Sequence, residues 1–260
     1  MTLVIFAVCF AASIVGAISG IGGGIIIKPV MDTLGAYSVT TINFLTSCTV
    51  FSMSAATLVR NRNSSVVLEK RRASVLAIGG IVGGLAGKGL FDALETLFGN
   101  DTLVGATQYI LLIIITAAVL VFTLHKERFK PNQYSNPIVA AIIGILLGAV
   151  ASFLGIGGGP INLAVLYLCF AMDSKTAALN SIYIILFSQA SNILAVLIQG
   201  NIPDIEATLL AVMITGGIAG GITGSMISKR LTLKGVDYLF SSVMGVIILI
   251  SIYNVIRFVR

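Results

Sequence analysis

Two glycine-rich runs offer this sequence its clearest chemistry. Gly20-Ile21-Gly22-Gly23-Gly24 and Gly155-Ile156-Gly157-Gly158-Gly159 each follow an apolar run and precede a shorter one. A helix that starts at such a run presents free backbone N–H donors and the positive end of its dipole, which together attract anions. The expected anion-binding groups are therefore Gly22, Gly23 and Gly24 in one run and Gly157, Gly158 and Gly159 in the other. Glycines of this kind also serve tight turns and close helix packing. Two breaks at corresponding places in a membrane chain favour a substrate site.

Lys28 lies about one helical turn beyond the first break and brings a positive charge towards it; snorkelling to the membrane interface is the competing role. Pro29 follows, where it is expected to stop or kink the short helix. The residue corresponding to Lys28 in the second half is Leu163, so the site is asymmetric in charge. The long apolar run after each break carries polar groups: Asn43, Thr46, Ser47 and Ser52 in the first, Asn180, Ser188, Gln189 and Asn192 in the second. Neutral donors of this kind suit an oxyanion, and they also bond between helices in bundles.

Other chemistries find little support. The ten carboxylates lie at or near segment ends, and the single histidine, His125, abuts Lys126. Neither a metal cluster, a catalytic group nor a buried proton relay is expected, and no cofactor is implied. Cys9, Cys48 and Cys169 stand singly in apolar segments without redox or metal spacing. The stretch Gly83 to Gly89 with Lys88 fails as a phosphate loop, because Val82 occupies the first glycine position and Gly89 the Ser/Thr position.

The elements that must position these residues follow from composition. With 57% hydrophobic and 10% charged residues and a mean hydropathy of +1.05, the 260-residue chain needs lipid. The net charge of +6 sits in short joints between apolar runs and signals topology rather than nucleic-acid binding. The first 20 residues resemble a signal peptide but lack a basic start, and their pattern recurs in mid-chain.

Displacing the chain by 135 residues superimposes the two glycine runs, and with slight slippage Phe51-Ser52 meets Phe187-Ser188 and Gly83 to Gly87 meets Gly220 to Gly224. The expected fold is an all-α polytopic membrane protein of two repeats. Unit one, 1–130, has a hairpin at 2–35 and helices at 39–59, 73–91 and 105–124; unit two, 131–260, has a hairpin at 138–172 and helices at 177–198, 205–227 and 236–256. Corresponding joints carry opposite charge patterns. Arg60, Arg62, Lys70, Arg71 and Arg72 face Gln199 to Asp204, while Asp92, Glu95 and Asp101 face Lys229, Arg230 and Lys234.

The units are therefore expected to be inverted, each with three crossing helices after a re-entrant, Gly-broken hairpin. Both chain ends would then lie outside, with Arg257 and Arg260 as exceptions to the charge rule. With no Trp, interface anchoring falls to tyrosines such as Tyr37, Tyr134 and Tyr253. The pairs Gly16/Gly20, Gly80/Gly84, Gly144/Gly148 and Gly217/Gly221 have the spacing of close helix contacts.

The doubled Gly-Ile-Gly-Gly-Gly motif, with Pro29 after the first copy, resembles the TauE/SafE sulfite exporter family, also called the toluene sulfonate uptake permeases. The resemblance covers nearly the whole chain and implies sulfite, thiosulfate or an organosulfonate as substrate. Unit two departs from the pattern, with Pro160 directly after the glycines and Ala164 in the place of Pro29. The function expected is that of a secondary anion transporter working by alternating access, multi-pass in the cell inner membrane. A passive anion channel and a non-transporting membrane subunit are the alternatives. The expected partners are a small anion, the lipid bilayer, a coupling ion that is either a proton or sodium, and, as an open matter, further copies of the chain.

Overall fold

The computed structural model describes residues 2–35, 37–64, 66, 68–98, 101–156, 159–200 and 202–259, and within these it is all helical. In chain order the helices are α1 (Thr2–Ser19), α2 (Gly24–Leu34), α3 (Val39–Asn61), α4 (Lys70–Phe98), α5 (Asp101–Leu124), α6 (Pro137–Leu154), α7 (Pro160–Phe170), α8 (Ser174–Gln199), α9 (Ala207–Arg230) and α10 (Leu233–Val259). A short 3-10 turn, Lys126–Arg128, follows α5.

Eight of these helices are long and apolar enough to cross a membrane. Among them are α1 and α6, with 18 residues each, so the arm before each break is of spanning length and not a short half-arm. The arms after the breaks, α2 and α7, have 11 residues each, about 16 Å at 1.5 Å per residue, and cannot cross alone. Pro29 does not stop α2, which runs on to Leu34 and ends at Gly35 in a left-handed conformation. α4, the second long helix expected in unit one, reaches Phe98, well past the expected end at 91, because its charged end stays helical through the Lys88–Asp92 pair at i,i+4.

The bundle is held by helices exchanged between the halves. α4 packs chiefly on α6 and α1 on α9, which are corresponding pairs; α3 with α9 corresponds to α8 with α4, and α5 packs on α10. Glycine stripes make the first two contacts. A methyl group on Gly83 would land on the Ile145 carbonyl oxygen and one on Gly87 on that of Ala149, while Gly144 and Gly148 press on Leu76 and Gly80. Gly216, Gly220 and Gly224 lie in the same way on Phe6, Phe10 and Ile14. A neighbouring stripe turns to the helix on the other side, with Gly217 on Thr49 and Gly221 on Met53. Residue numbers rise together along both stripes, so each pair is parallel. Without water to drive association, such backbone-to-backbone contact is what holds spanning helices together.

Large apolar side chains at Ile78, Ile114, Ile142, Ile198, Val246 and Leu249 remain exposed around the bundle, as a lipid-facing surface requires. The three cysteines are free, and only Cys169 is less than fully buried. Tyr134 and Tyr253 are exposed, as interfacial anchors would be, and Tyr37 is half-buried.

Polar contacts sort the joints onto two faces. On one, the Glu69 N–H donates to Asn180 Oδ1 at 3.2 Å, Lys126 pairs with Asp237, and the Tyr134 N–H donates to the Cys169 carbonyl at 3.0 Å. On the other, Gln199 donates to Asp92 at 3.4 Å, Thr40 donates to Glu95, and Arg257 donates to the Asp32 carbonyl at 2.9 Å. The first face carries the basic joints around Arg60 to Arg72, Lys126 to Lys130 and Lys229 to Lys234. Arg257, a charge exception, acts locally: it binds the Asp32 and Thr33 carbonyls and so caps the C-terminus of α2. Arg260 lies outside the described residues.

Two predictions follow from this packing. Gly83→Ala forces α4 off α6 and should cost about 1–3 kcal/mol. Gly89→Ala, with nothing within 4 Å, should be neutral or stabilising by up to about 1 kcal/mol. Thermal unfolding of both variants in detergent checks this, and equal effects would refute the stripe. The second concerns Asp173, whose carboxylate caps α8 by accepting from the Lys175 and Thr176 N–H groups at 3.0 and 3.1 Å. Burial pushes its carboxyl upward, but the bonds from Thr176 and Lys175 prevail and hold it below its ordinary value. A depressed carboxylate contributes stability above its ordinary range, and that contribution is lost as pH falls through the lowered value. Asp173→Ala should therefore cost about 1 kcal/mol near neutral pH, with the difference from wild type shrinking as pH falls beneath the ordinary carboxylate range and through the depressed value.

Candidate functional site

The first break turns through left-handed glycines, Gly20 and Gly22, before Gly23 starts α2 by accepting from the Ile26 and Ile27 N–H groups at 3.1 and 3.0 Å. Each break rests on the third helix of the other half. A methyl group on Gly20 would strike Ala178 of α8, and the Gly20 carbonyl accepts from Ser181 Oγ at 2.6 Å. Gly155, also left-handed, lies on the Asn43 side chain of α3. The breaks also meet each other, since a methyl group on Gly24 would strike the Ile156 carbonyl and sit 2.9 Å from Thr46 Cγ2. Gly157 and Gly158 lie outside the described residues. Gly159 is extended, a conformation open to any residue, and its Cβ position has only ordinary contact.

Beside this junction is a cavity of about 330 Å³. Asn43 and Ser47 from α3, Ser152 and Gly155 from the end of α6, and Asn192 from α8 form its polar inner wall. Ser152 Oγ donates to Asn192 Oδ1. Lys88, Asp92, Glu95 and Gln199 also line it, and the Gln199–Asp92 and Thr40–Glu95 contacts put its mouth on the face opposite the basic joints.

Lys28 does not snorkel. It is 1% exposed, and its Nζ donates to Asn43 Oδ1 at 2.5 Å and Gln108 Oε1 at 2.8 Å. The ammonium therefore stands one amide behind the cavity wall. Asp32, one turn further along α2, is buried 3.9 Å from Lys28 Nζ and accepts from the Tyr109 hydroxyl. Gln108 is fixed in turn by donating Nε2 to the Phe153 carbonyl at 2.6 Å, just before the second break. The arrangement holds a buried cation, with polar neutral groups, beside a water-accessible space.

The cavity thus gathers Asn43, Ser47 and Asn192 from the residues expected at the site, with Lys28 immediately behind. Thr46 is fully buried at the junction and its hydroxyl has no hydrogen-bond partner among the described residues. Asn180 lies elsewhere, bonding the Glu69 N–H and the Thr176 carbonyl on the basic face. Ser188 and Gln189 are buried and bond each other at 3.4 Å, away from the cavity wall. Sequence reasoning missed Ser152, Gln108, Tyr109, Lys88 and the buried state of Asp32. The i,i+4 spacing of Lys28 and Asp32 was the one available signal for a buried pair. Asp32 lies near the end of α2, where the carboxylates were expected, but that end is itself enclosed by α5 and α10, so the acid is buried.

Residues 5–253 match the sulfite exporter TauE/SafE family. The "Probable membrane transporter protein YunE" of Bacillus subtilis (strain 168) is 26% identical over 116 residues, covering 44% of this chain and 41% of that protein. The "Probable membrane transporter protein MamO" of Magnetospirillum gryphiswaldense is 22% identical over 271 aligned residues, 91% of this chain and 42% of that protein. The chain spans about two fifths of the length of these curated relatives. No solved structure matches it. With eight helices of spanning length among the described residues and a family match over nearly its whole length, the chain belongs to the sulfite exporter TauE/SafE family and is a multi-pass membrane protein.

Proposed function

We propose that the protein carries a small oxyanion, of the sulfite, thiosulfate or organosulfonate class, by alternating access around the junction of the two glycine breaks. The observation that carries this reading is the buried Lys28 ammonium, bonded to Asn43 on the wall of a polar cavity. A cation inside a membrane bundle is costly; Asp32 offsets this one from 3.9 Å without a hydrogen bond, and an anion in the cavity is a competing partner. Asn43, Ser47, Ser152 and Asn192 supply neutral donors around it; of the nearby cations, Lys88 on the lining is paired with Asp92, and Lys28 stands behind Asn43.

The corresponding pairings of α4 with α6 and α1 with α9, and the opposite charge of corresponding joints, support an inverted repeat. On that reading the basic face is cytoplasmic and the cavity opens outward. The inner face is closed by the Gly20–Ser181, Asn162–Ser181 and Lys126–Asp237 contacts. Transport requires these to part while the mouth contacts Gln199–Asp92 and Thr40–Glu95 tighten. In this scheme the backbone N–H groups of Gly22, Gly23 and Gly24 complete the anion's shell as the breaks separate, and the sequence assigns the same role to Gly157, Gly158 and Gly159. Thr46, Asn180, Ser188 and Gln189 are then assigned to helix contacts that change during the cycle.

The test is thermal unfolding of the purified chain with sulfite, thiosulfate and methanesulfonate. An anion at 100 times its Kd should add about 2.7 kcal/mol to wild-type stability, and Ser47→Met or Asn192→Leu should remove that gain while leaving the unliganded protein folded. Uptake of the same anion into proteoliposomes should saturate at carrier rates, whereas linear conductance would make the protein a channel. Stabilisation that survives both variants would place the site elsewhere.

A further inference from the structure

Asp32 and Lys28 form a buried pair whose charges cancel. Every charged or titratable group that the structure places against Asp32 can be named: Lys28 on its own helix, the Tyr109 hydroxyl of α5 on its carboxylate, and Arg257 of α10 on its backbone carbonyl. From α3 comes only the neutral amide of Asn43, which reaches Lys28. Asn254 of α10 donates to the neighbouring Pro29 carbonyl at 3.0 Å. Through Asn43 the pair touches the cavity, and on its other side it is enclosed.

An anion that reaches Asn43 competes with Asp32 for one ammonium. If it takes Lys28, the Asp32 carboxylate remains buried without a counter-charge, a state that low-dielectric surroundings strongly disfavour. We propose that Asp32 is the proton site of this transporter. Lys28 turns from Asp32 to the anion, and Asp32 takes up a proton from the bulk solution, relayed as hydronium through the water that enters with the anion. This inference rests on the anion-carrier reading above and names its coupling ion.

The charge balance closes for a monovalent anion. Empty, the site holds an ammonium and a carboxylate; loaded, it holds an ammonium, an anion and a neutral carboxylic acid. Both states are neutral, so the loaded site moves one anion with one proton in the same direction. Sodium fits poorly at Asp32. A sodium ion there would sit beside the Lys28 ammonium and near the Arg257 guanidinium, and no cluster of metal-ligating side chains exists among the described residues. A proton needs only one carboxylate oxygen, and the Tyr109 hydroxyl can rotate to accept from the acid.

The experiment measures proton uptake by the full-length purified chain on anion binding. It uses weakly buffered, sodium-free solution with a pH indicator, and methanesulfonate or thiosulfate, neither of which titrates near neutral pH. For methanesulfonate, about one proton should be taken up per anion bound, and Kd should rise tenfold per pH unit where that uptake holds. Asp32→Asn should bind the anion without uptake and with a Kd that does not change with pH. Wild-type binding without uptake overturns the proposal, and so does uptake that persists in Asp32→Asn. If that variant does not fold, Tyr109→Phe must displace the pH range over which Kd changes, and an unmoved range overturns the assignment. Failure of every anion to bind wild type refutes the transporter site itself, which is a distinguishable result.

Discussion

The architecture depends on one constraint, that irregular backbone inside a membrane must be satisfied by protein or by water. Two chain breaks at glycine runs violate the rule that only closed helices cross lipid, and each is tolerated because another part of the chain covers it. Gly20 lies on α8, Gly155 lies on Asn43 of α3, and Gly24 touches the carbonyl of Ile156. Those contacts require the two halves to interlock. The interlock is made by α4 against α6 and α1 against α9, where glycine stripes let backbones touch. The cavity is what remains where the covering is incomplete, at the end of α6 between α3 and α8.

A second consequence concerns charge. A bundle sealed this closely excludes water from α2, yet α2 carries Lys28 and Asp32. Neither could be buried alone, and together they are held by Asn43, Gln108 and Tyr109 from two other helices. The ammonium donates to two amide oxygens, and the carboxylate 3.9 Å away is an ion-pair partner and not its sole one. A pair arranged in this way can be reorganised by a competing anion more readily than one locked in a bidentate contact.

Much of this was legible in the sequence, and for physical reasons. Apolar runs and basic joints respond to the bilayer itself, so the helices and the two faces could be read before any contact was known. The glycine breaks were visible because no spanning helix tolerates such a run without purpose. Ends of elements were less legible: α4 outlasts its apolar run because Lys88 and Asp92 pair on its own surface, and Pro29 is absorbed because its carbonyl is used by Thr33 and Asn254. Which polar residues share one cavity was not readable at all. Asn43 and Asn192 face it while Asn180 bonds Glu69 on the opposite face, a distinction set by helix rotation and not by residue type.

The asymmetry of the two halves follows from the same reasoning. If both breaks carried a lysine, two ammonium groups would converge on one junction, and a single anion could not neutralise them. With Leu163 where the repeat places a counterpart of Lys28, that position packs into the largest apolar cluster, and on the proposed reading Lys28 is left as the one lysine beside the breaks. Gly159 fits this division of labour: its extended conformation and open surroundings place no demand for glycine, and Pro160 begins α7 without an N–H donor of its own. The second break therefore has less to offer an anion electrostatically than the first. Its wall residues Ser152 and Gly155 shape the cavity, and on the proposed anion-carrier reading the buried ammonium behind that wall comes from α2.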